Sequence, residues 1–308
     1  MVVGKNILVT GGTGLIGKEV VKILVAKKYK VKVITRNEIK DKQVEYIKVD
    51  LGEPKKLKNI LEDCDFVIHL AACVGEEDVD NIFYKTNVLG TKNTLESVNK
   101  KRIKKIVYVS TVSVFADCGC EVRDESWKLN TNSNNPYVKT KIEATKIAID
   151  YSKKLPIVVV YPSIVIAKNN NEIAIKGLVG WLWKMGGGIP GALMNLIGPK
   201  ERVVNYVLLE NEAKGIVGAL ERGKVGQKYI LGGENIKVSD FIKKLERYYG
   251  KRTLPIRIPL WVIKLLAKLP INMPGVVYEI DKNGLTNMNF KSDRAKNDFG
   301  YVSKKQLR

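Results

Sequence analysis

The sequence of 308 residues predicts a doubly wound α/β fold on a parallel sheet, with a smaller, mainly helical C-terminal region. Three observations carry this reading. Short runs rich in valine and isoleucine alternate with helical stretches through the first half. A glycine cluster separates the first such run from the first helix. After about Pro162 the alternation gives way to a less regular pattern. Strands buried on both faces read as continuous apolar runs, and strands alternating with helices fold as parallel strands joined by right-handed crossovers.

Each element follows from that rhythm. Strands are predicted over 6–10, 31–35, 44–49, 66–70, 106–110 and 157–161. Helices are predicted between them over 18–27, 55–61, 91–98 and 139–151. Further on, 203–209 and 227–231 read as strands and 212–221 as a helix. Ser239 is the expected N-cap of an amphipathic helix reaching Tyr249, and a basic apolar helix is expected over 261–269, between Pro259 and Pro270. Residues 1–165 are expected to form the main domain, with 203–232 returning to it and 166–308 otherwise shaping a substrate region.

Composition narrows the function classes. A content of 45% hydrophobic and 28% charged residues suits a soluble globular protein. No run approaches the roughly 20 apolar positions of a spanning helix, and 1–10 reads as a strand containing Lys5, so no secretory signal and a cytoplasmic location are expected. Cys64, Cys73, Cys118 and Cys120 are too few for a disulfide scaffold and read as reduced thiols. With one histidine, His69, in a predicted strand, no metal site is expected. The net charge of +21 comes from lysines scattered along the chain without interleaved aromatics. It reads as a solvated surface favourable to a phosphate-bearing ligand rather than as a nucleic-acid site. Trp181, Trp183 and the helix over 261–269 read as core or an oligomer face in preference to a membrane contact.

Thr10-Gly-Gly-Thr-Gly-Leu-Ile-Gly17 follows the first strand and opens the first helix. Gly11, Gly14 and Gly17 permit a tight turn, close approach of backbone N–H groups to a pyrophosphate, and close helix–strand packing. Thr13, Leu15 and Ile16 belong to the same turn. This is the fingerprint of a Rossmann-type dinucleotide site. An acidic residue ending the second strand would favour NAD(H) by binding the ribose 2′-hydroxyl; the sequence has Thr35-Arg36-Asn37 there, and Arg36 can pair with a 2′-phosphate, so NADP(H) is favoured over NAD(H). Asp50, ending the third strand beside Leu51, is placed for the adenine amino group or as a helix N-cap.

Tyr137-Val-Lys-Thr-Lys141 sets a tyrosine and a lysine four apart, on one face of a helix. A tyrosine is a poor base at its ordinary pKa of about 10, but a neighbouring ammonium favours the phenolate. Upstream, Ser110-Thr-Val-Ser-Val-Phe115 offers a hydroxyl to polarise a substrate oxygen.

These residues resemble the extended short-chain dehydrogenase/reductases of the NAD-dependent epimerase/dehydratase superfamily. Thr10–Gly17 matches TGxxGxxG, His69-Leu-Ala-Ala72 the fourth-strand segment, Asn87-Val-Leu-Gly-Thr91 the motif NVxGT, and Tyr137 with Lys141 the motif YxxxK. The resemblance implies Tyr137 as acid–base, Lys141 as its partner and Thr111, ahead of Ser113, as the catalytic hydroxyl. It implies cofactor contacts from Leu70, Ala71, Ala72, Asn87, Pro162 and Ile164, with Asn87 serving a relay water, the helix, or simply as an N-cap. Val204-Asn-Tyr206 and Gly226 to Asn235 resemble the dihydroflavonol reductase-like branch, near the 3β-hydroxysteroid dehydrogenases. Three departures stand out: Tyr161-Pro162 in place of Arg-Pro, Val114-Phe-Ala116 in place of Val-Tyr-Gly, and Glu210-Asn211 in place of two aspartates.

The implied function is NADP(H)-dependent hydride transfer to or from a small, apolar carbonyl or hydroxyl substrate, in a pocket drawn from 73–80, 115–128 and 166–200. A nucleotide-sugar epimerase or dehydratase with retained cofactor is the competing enzyme, and a non-catalytic NADP(H) sensor the competing binding protein. A homodimer through two helices is common in the family.

Overall fold

The computed structural model describes residues 4–74, 81–115, 121–167, 202–250, 280–281, 284–285 and 287–303. The expected pocket residues 75–80, 116–120 and 168–200, with Cys118, Cys120, Trp181, Trp183, Lys184 and Lys200, lie outside them, as does the helix expected over 261–269.

In chain order the first half runs β1 (Asn6–Thr10), α1 (Leu15–Ala26), β2 (Lys30–Thr35), β3 (Val44–Lys48), α2 (Pro54–Leu61), β4 (Phe66–His69), α3 (Gly90–Ser97), β5 (Lys105–Val109), α4 (Pro136–Tyr151) and β6 (Ile157–Pro162). There follow β7 (Ile164–Ile166), β8 (Val203–Leu208), α5 (Leu209–Arg222), β9 (Lys228–Leu231), β10 (Glu234–Lys237), α6 (Val238–Tyr249), the short pair β11 (Ile280–Asp281) and β12 (Gly284–Leu285), and α7 (Asp293–Phe299).

Among the described residues, seven strands form one parallel sheet in the order β3-β2-β1-β4-β5-β6-β9. The chain winds outward from β1 to β3, then returns to place β4 on the other side of β1. The carboxyl ends of β1 and β4 therefore flank the topological switch point, where open α/β sheets bind ligands. Alternate side chains fill both faces. Leu8, Val67, Ile106 and Val159 pack with Leu57, Leu95 and Ala148 on one face. Val9, Ile68, Val107 and Val160 pack with Val20, Leu24, Ile216 and Phe299 on the other.

A second, three-stranded sheet, β10-β8-β7, carries its own core with α6 around Tyr206, Phe241 and Leu245. β7, three apolar residues, is too short to announce itself in the sequence, and β10 is short and mixed in polarity. Asn205 in β8 ties down β10: wholly buried, it accepts from Gly233 N at 2.9 Å and donates to Asn235 Oδ1 at 2.7 Å. Ser239 is not an N-cap: α6 begins at Val238, with Lys237 at the cap and no side-chain capping bond. Among the described residues no helix is long and apolar enough to cross a membrane, and no group of three or more His, Cys, Asp or Glu gathers as metal ligands.

Candidate functional site

The glycine turn joins β1 to α1 at the switch point. Gly11 has φ +70°, and a Cβ there would lie 2.7 Å from Ala71 N. A Cβ on Gly17 would lie 2.1 Å from Gly11 O. Backbone thus fills the space side chains would need, and Ala71 N completes the contact by donating to Thr10 Oγ1 at 3.2 Å. Gly14 occupies the N-cap of α1 in extended conformation with no side-chain cap. First-turn N–H groups are consequently left for an anion, aided by the helix dipole. A dinucleotide pyrophosphate fits this cradle. Thr13 and Ile16 are half-buried around it, and Leu15 is exposed.

Arg36 is exposed just past β2, the strand beside β1, and Asn37 N donates to Thr35 Oγ1 at 3.1 Å there. Asp50 is exposed past β3 but does not cap α2. Its carboxylate accepts from Gly52 N at 2.7 Å, closing a local turn, and the cap position falls to Glu53. Leu51 is a packing residue: its side chain is buried with the α2–α3 core, against Gly90, and its carbonyl accepts from Asn93 Nδ2 at 2.8 Å. Leu70, Ala71 and Ala72, at the end of β4, are half-buried at the switch point.

The tyrosine–lysine pair lies on the first turns of α4. Asn135 caps the helix by accepting from Val138 N at 3.3 Å, and Pro136 takes the first position, where a missing N–H is harmless. Tyr137 is half-buried, edge-on to Phe83 with ring centroids 6.3 Å apart. One turn on, Lys141 is buried; its ammonium donates to Val109 O at 2.8 Å and lies 5.0 Å from the Tyr108 ring centre. Burial pushes the Lys141 pKa down to about 7. Val109 ends β5, and Thr111 follows two residues later in extended conformation, its hydroxyl accepting from Ser113 N at 3.3 Å. Lys141 therefore anchors α4 to the strand end that carries Thr111. Pro162, buried, ends β6, and Ile164, half-buried, opens β7.

Asn87 is not a helix N-cap. It is buried inside a π-helical turn, Tyr84–Leu89, that runs into α3. Its side chain accepts from Cys73 N at 2.7 Å and donates to Cys73 O at 3.2 Å and to Thr140 Oγ1 at 3.0 Å. It straps the segment after β4 to α4. Such π-turns recur at functional sites. Sequence reasoning set His69 aside as a metal ligand and matched it to the fourth-strand segment, but gave its side chain no role in the site. The signal was a buried histidine at the end of β4, beside Thr10 in the next strand.

Two of the departures from the family pattern meet in space. Phe115 and Tyr161 pack with ring centroids 4.8 Å apart, and Phe115 lies 6.0 Å from Phe290. The exchanges at 115 and 161 are thus one repacking of the core beneath the site.

The model of the NAD dependent epimerase/dehydratase family matches residues 7–232, from the first strand through β9. The chain belongs to this family. A nicotinamide-dependent enzyme of the extended short-chain dehydrogenase/reductase type is what the family match and the relatives describe. A Synechocystis sp. protein provisionally named dihydroflavonol 4-reductase is 27% identical, over 95% of this chain and 88% of its own. A Dictyostelium discoideum sterol-4-alpha-carboxylate 3-dehydrogenase is 26% identical, over 97% of each. Among solved structures, gox2253 superposes with a TM-score of 0.77 at 26% identity, over 97% of this chain and 93% of that one. These matches agree with the resemblance to the dihydroflavonol reductase-like and 3β-hydroxysteroid dehydrogenase-like branches. The epimerase/dehydratase family binds a nicotinamide cofactor.

Proposed function

We propose that the chain is an NADP(H)-dependent oxidoreductase acting on the carbonyl or hydroxyl of a small, apolar substrate, with Tyr137 as acid–base. The observation that carries this reading is the placement of Lys141. Its buried ammonium is tied to the end of β5, one helical turn from Tyr137 and two residues from Thr111. The glycine cradle would hold the pyrophosphate and Arg36 a 2′-phosphate. When bound, the nicotinamide supplies or accepts the hydride.

In the direction of reduction, Tyr137 gives its phenolic proton to the carbonyl oxygen while Thr111 donates a hydrogen bond to the same oxygen, stabilising charge where it develops. The phenolate left behind forms one turn from Lys141. Burial makes an isolated ammonium costly there, and the new negative charge offsets that cost. In the oxidative direction Tyr137 takes the proton back. Arg36 gives the preference between nicotinamides: its guanidinium can pair bidentately with a phosphate, whereas no carboxylate at that position is available to the ribose hydroxyls of NAD(H).

The test is a titration of the nucleotide-stripped protein with NADPH and NADH, followed by tryptophan quenching and a screen of apolar carbonyl compounds with the preferred nucleotide. NADPH is expected to bind at least about tenfold more tightly, an advantage lost in Arg36→Ala. Equal or tighter NADH binding would refute the role given to Arg36. Nucleotide retained through purification, with no net oxidation or reduction, would favour epimerase or dehydratase chemistry instead.

A further inference from the structure

His69 is the only histidine of the chain, wholly buried, and its contacts fix where its proton sits. Thr91 Oγ1 donates to Asn87 O at 2.6 Å, which uses its single proton on a group that can only accept. Toward His69 Nε2, 3.0 Å away, Thr91 is therefore an acceptor, and Nε2 carries the hydrogen. In the neutral ring Nδ1 is then bare and accepts from Thr10 Oγ1 at 2.8 Å. That leaves Thr10 Oγ1 free to accept from Ala71 N, as it does. From Asn87 the connection continues through Nδ2 to Thr140 Oγ1, which donates to Tyr137 O at 2.8 Å. The His69 ring also stacks on Tyr108 at 5.9 Å, and Tyr108 faces the Lys141 ammonium.

We infer that His69 is a positioning residue: a neutral imidazole, protonated on Nε2, whose two hydrogen bonds lock the glycine turn at Thr10 to Thr91 and Asn87, and through Thr140 to the turn of α4 that bears Tyr137. The inference deepens the proposed function, since it rests on Tyr137 as the acid–base. Each donor in this series of hydrogen bonds, from Ala71 N through Thr10, His69 and Thr91 to Asn87 O, has one acceptor, so the ring cannot take a second proton without turning Thr10 from donor to acceptor. Burial, together with the Lys141 ammonium, holds the His69 pKa down to about 3. The ring is thus a fixed strut, not a proton carrier.

One histidine makes the test direct. In the full-length protein labelled with 15N-histidine, the ring nitrogens give a single pair of resonances. They are expected to show a protonated Nε2 and a bare Nδ1, unchanged from about pH 5 to about pH 8. A titration with a midpoint near the ordinary value of about 6.5, or a proton on Nδ1, would overturn the inference. Two variants separate the arms of the strut. His69→Asn keeps a short polar group beside Thr10 and cannot reach Thr91; NADPH affinity should stay within about twofold while kcat falls about tenfold. His69→Gln reaches Thr91 and loses the bond to Thr10; the NADPH Kd should rise about fivefold with kcat little changed. Parallel loss of affinity, kcat and Tm in both variants would show a merely structural role and overturn the proposal. Failure of the acid–base reading is distinguishable: it would show as full turnover in Tyr137→Phe, and would leave the tautomer and the two affinities to decide this one.

Discussion

Replacing Gly17 with alanine tests whether the turn is closed as tightly as its geometry requires. The added Cβ would sit 2.1 Å from Gly11 O and 2.7 Å from Gly12 Cα, both backbone atoms that no rotamer change can move. Relief requires the turn to open or α1 to slide. Overpacking costs about 1–3 kcal/mol, and a clash with backbone belongs at the upper end, about 3 kcal/mol. With an unfolding entropy of about 2.1 cal/mol/K per residue, a chain of this length loses about 1.5 °C of Tm per kcal/mol, hence about 4–5 °C. Gly14→Ala is the control: its Cβ meets only Gly11 O, at 3.3 Å, and the N-cap backbone is already extended, so about 1 kcal/mol at most is expected. Thermal unfolding measures the first effect and NADPH titration the second, since an opened turn no longer presents its N–H groups together. A Gly17→Ala protein with unchanged Tm and unchanged NADPH affinity would refute the account of the cradle.

Two further perturbations follow from burial. Lys141 has a pKa near 7 when folded against about 10.5 when unfolded, so between these values the unfolded chain binds more protons and stability rises with pH, by up to about 1.4 kcal/mol per unit. The Tm of the wild type should therefore gain on that of Lys141→Met between pH 7 and pH 10, and a constant difference would contradict the burial of the ammonium. Asn205→Leu leaves Gly233 N without its acceptor and cuts the bond to Asn235; a loss of about 3 kcal/mol, seen as a lowered midpoint in urea, is expected, and a neutral effect would show that β10 is held by packing alone.

The parallel core was legible because β1, β4, β5 and β6 are buried on both faces, and such strands write themselves as unbroken apolar runs. The glycine turn was legible because its constraint is local: a positive φ at Gly11 and a backbone contact at Gly17 admit few other residues. What escaped the sequence depends on contacts between distant segments. Asn87 and His69 join through residues 22 and 53 positions apart, and no local pattern reports that. Asp50 sits where either a cap or a ligand contact would be reasonable, and only the local turn to Gly52 decides against the cap. Leu51 follows it in the chain and points into the core because α2 and α3 close over it. The small sheet was hidden because β7 is only three residues long and β10 is tied down by the buried side chain of Asn205, from a strand about 30 positions earlier.

The proposed acid–base chemistry turns on one phenolic oxygen. Tyr137→Phe removes it while leaving the half-buried ring against Phe83 and Lys141 against Val109. NADPH affinity is expected within about twofold of wild type and kcat reduced by at least about 100-fold on any carbonyl substrate the wild type reduces. Near-wild-type turnover by Tyr137→Phe would contradict that chemistry.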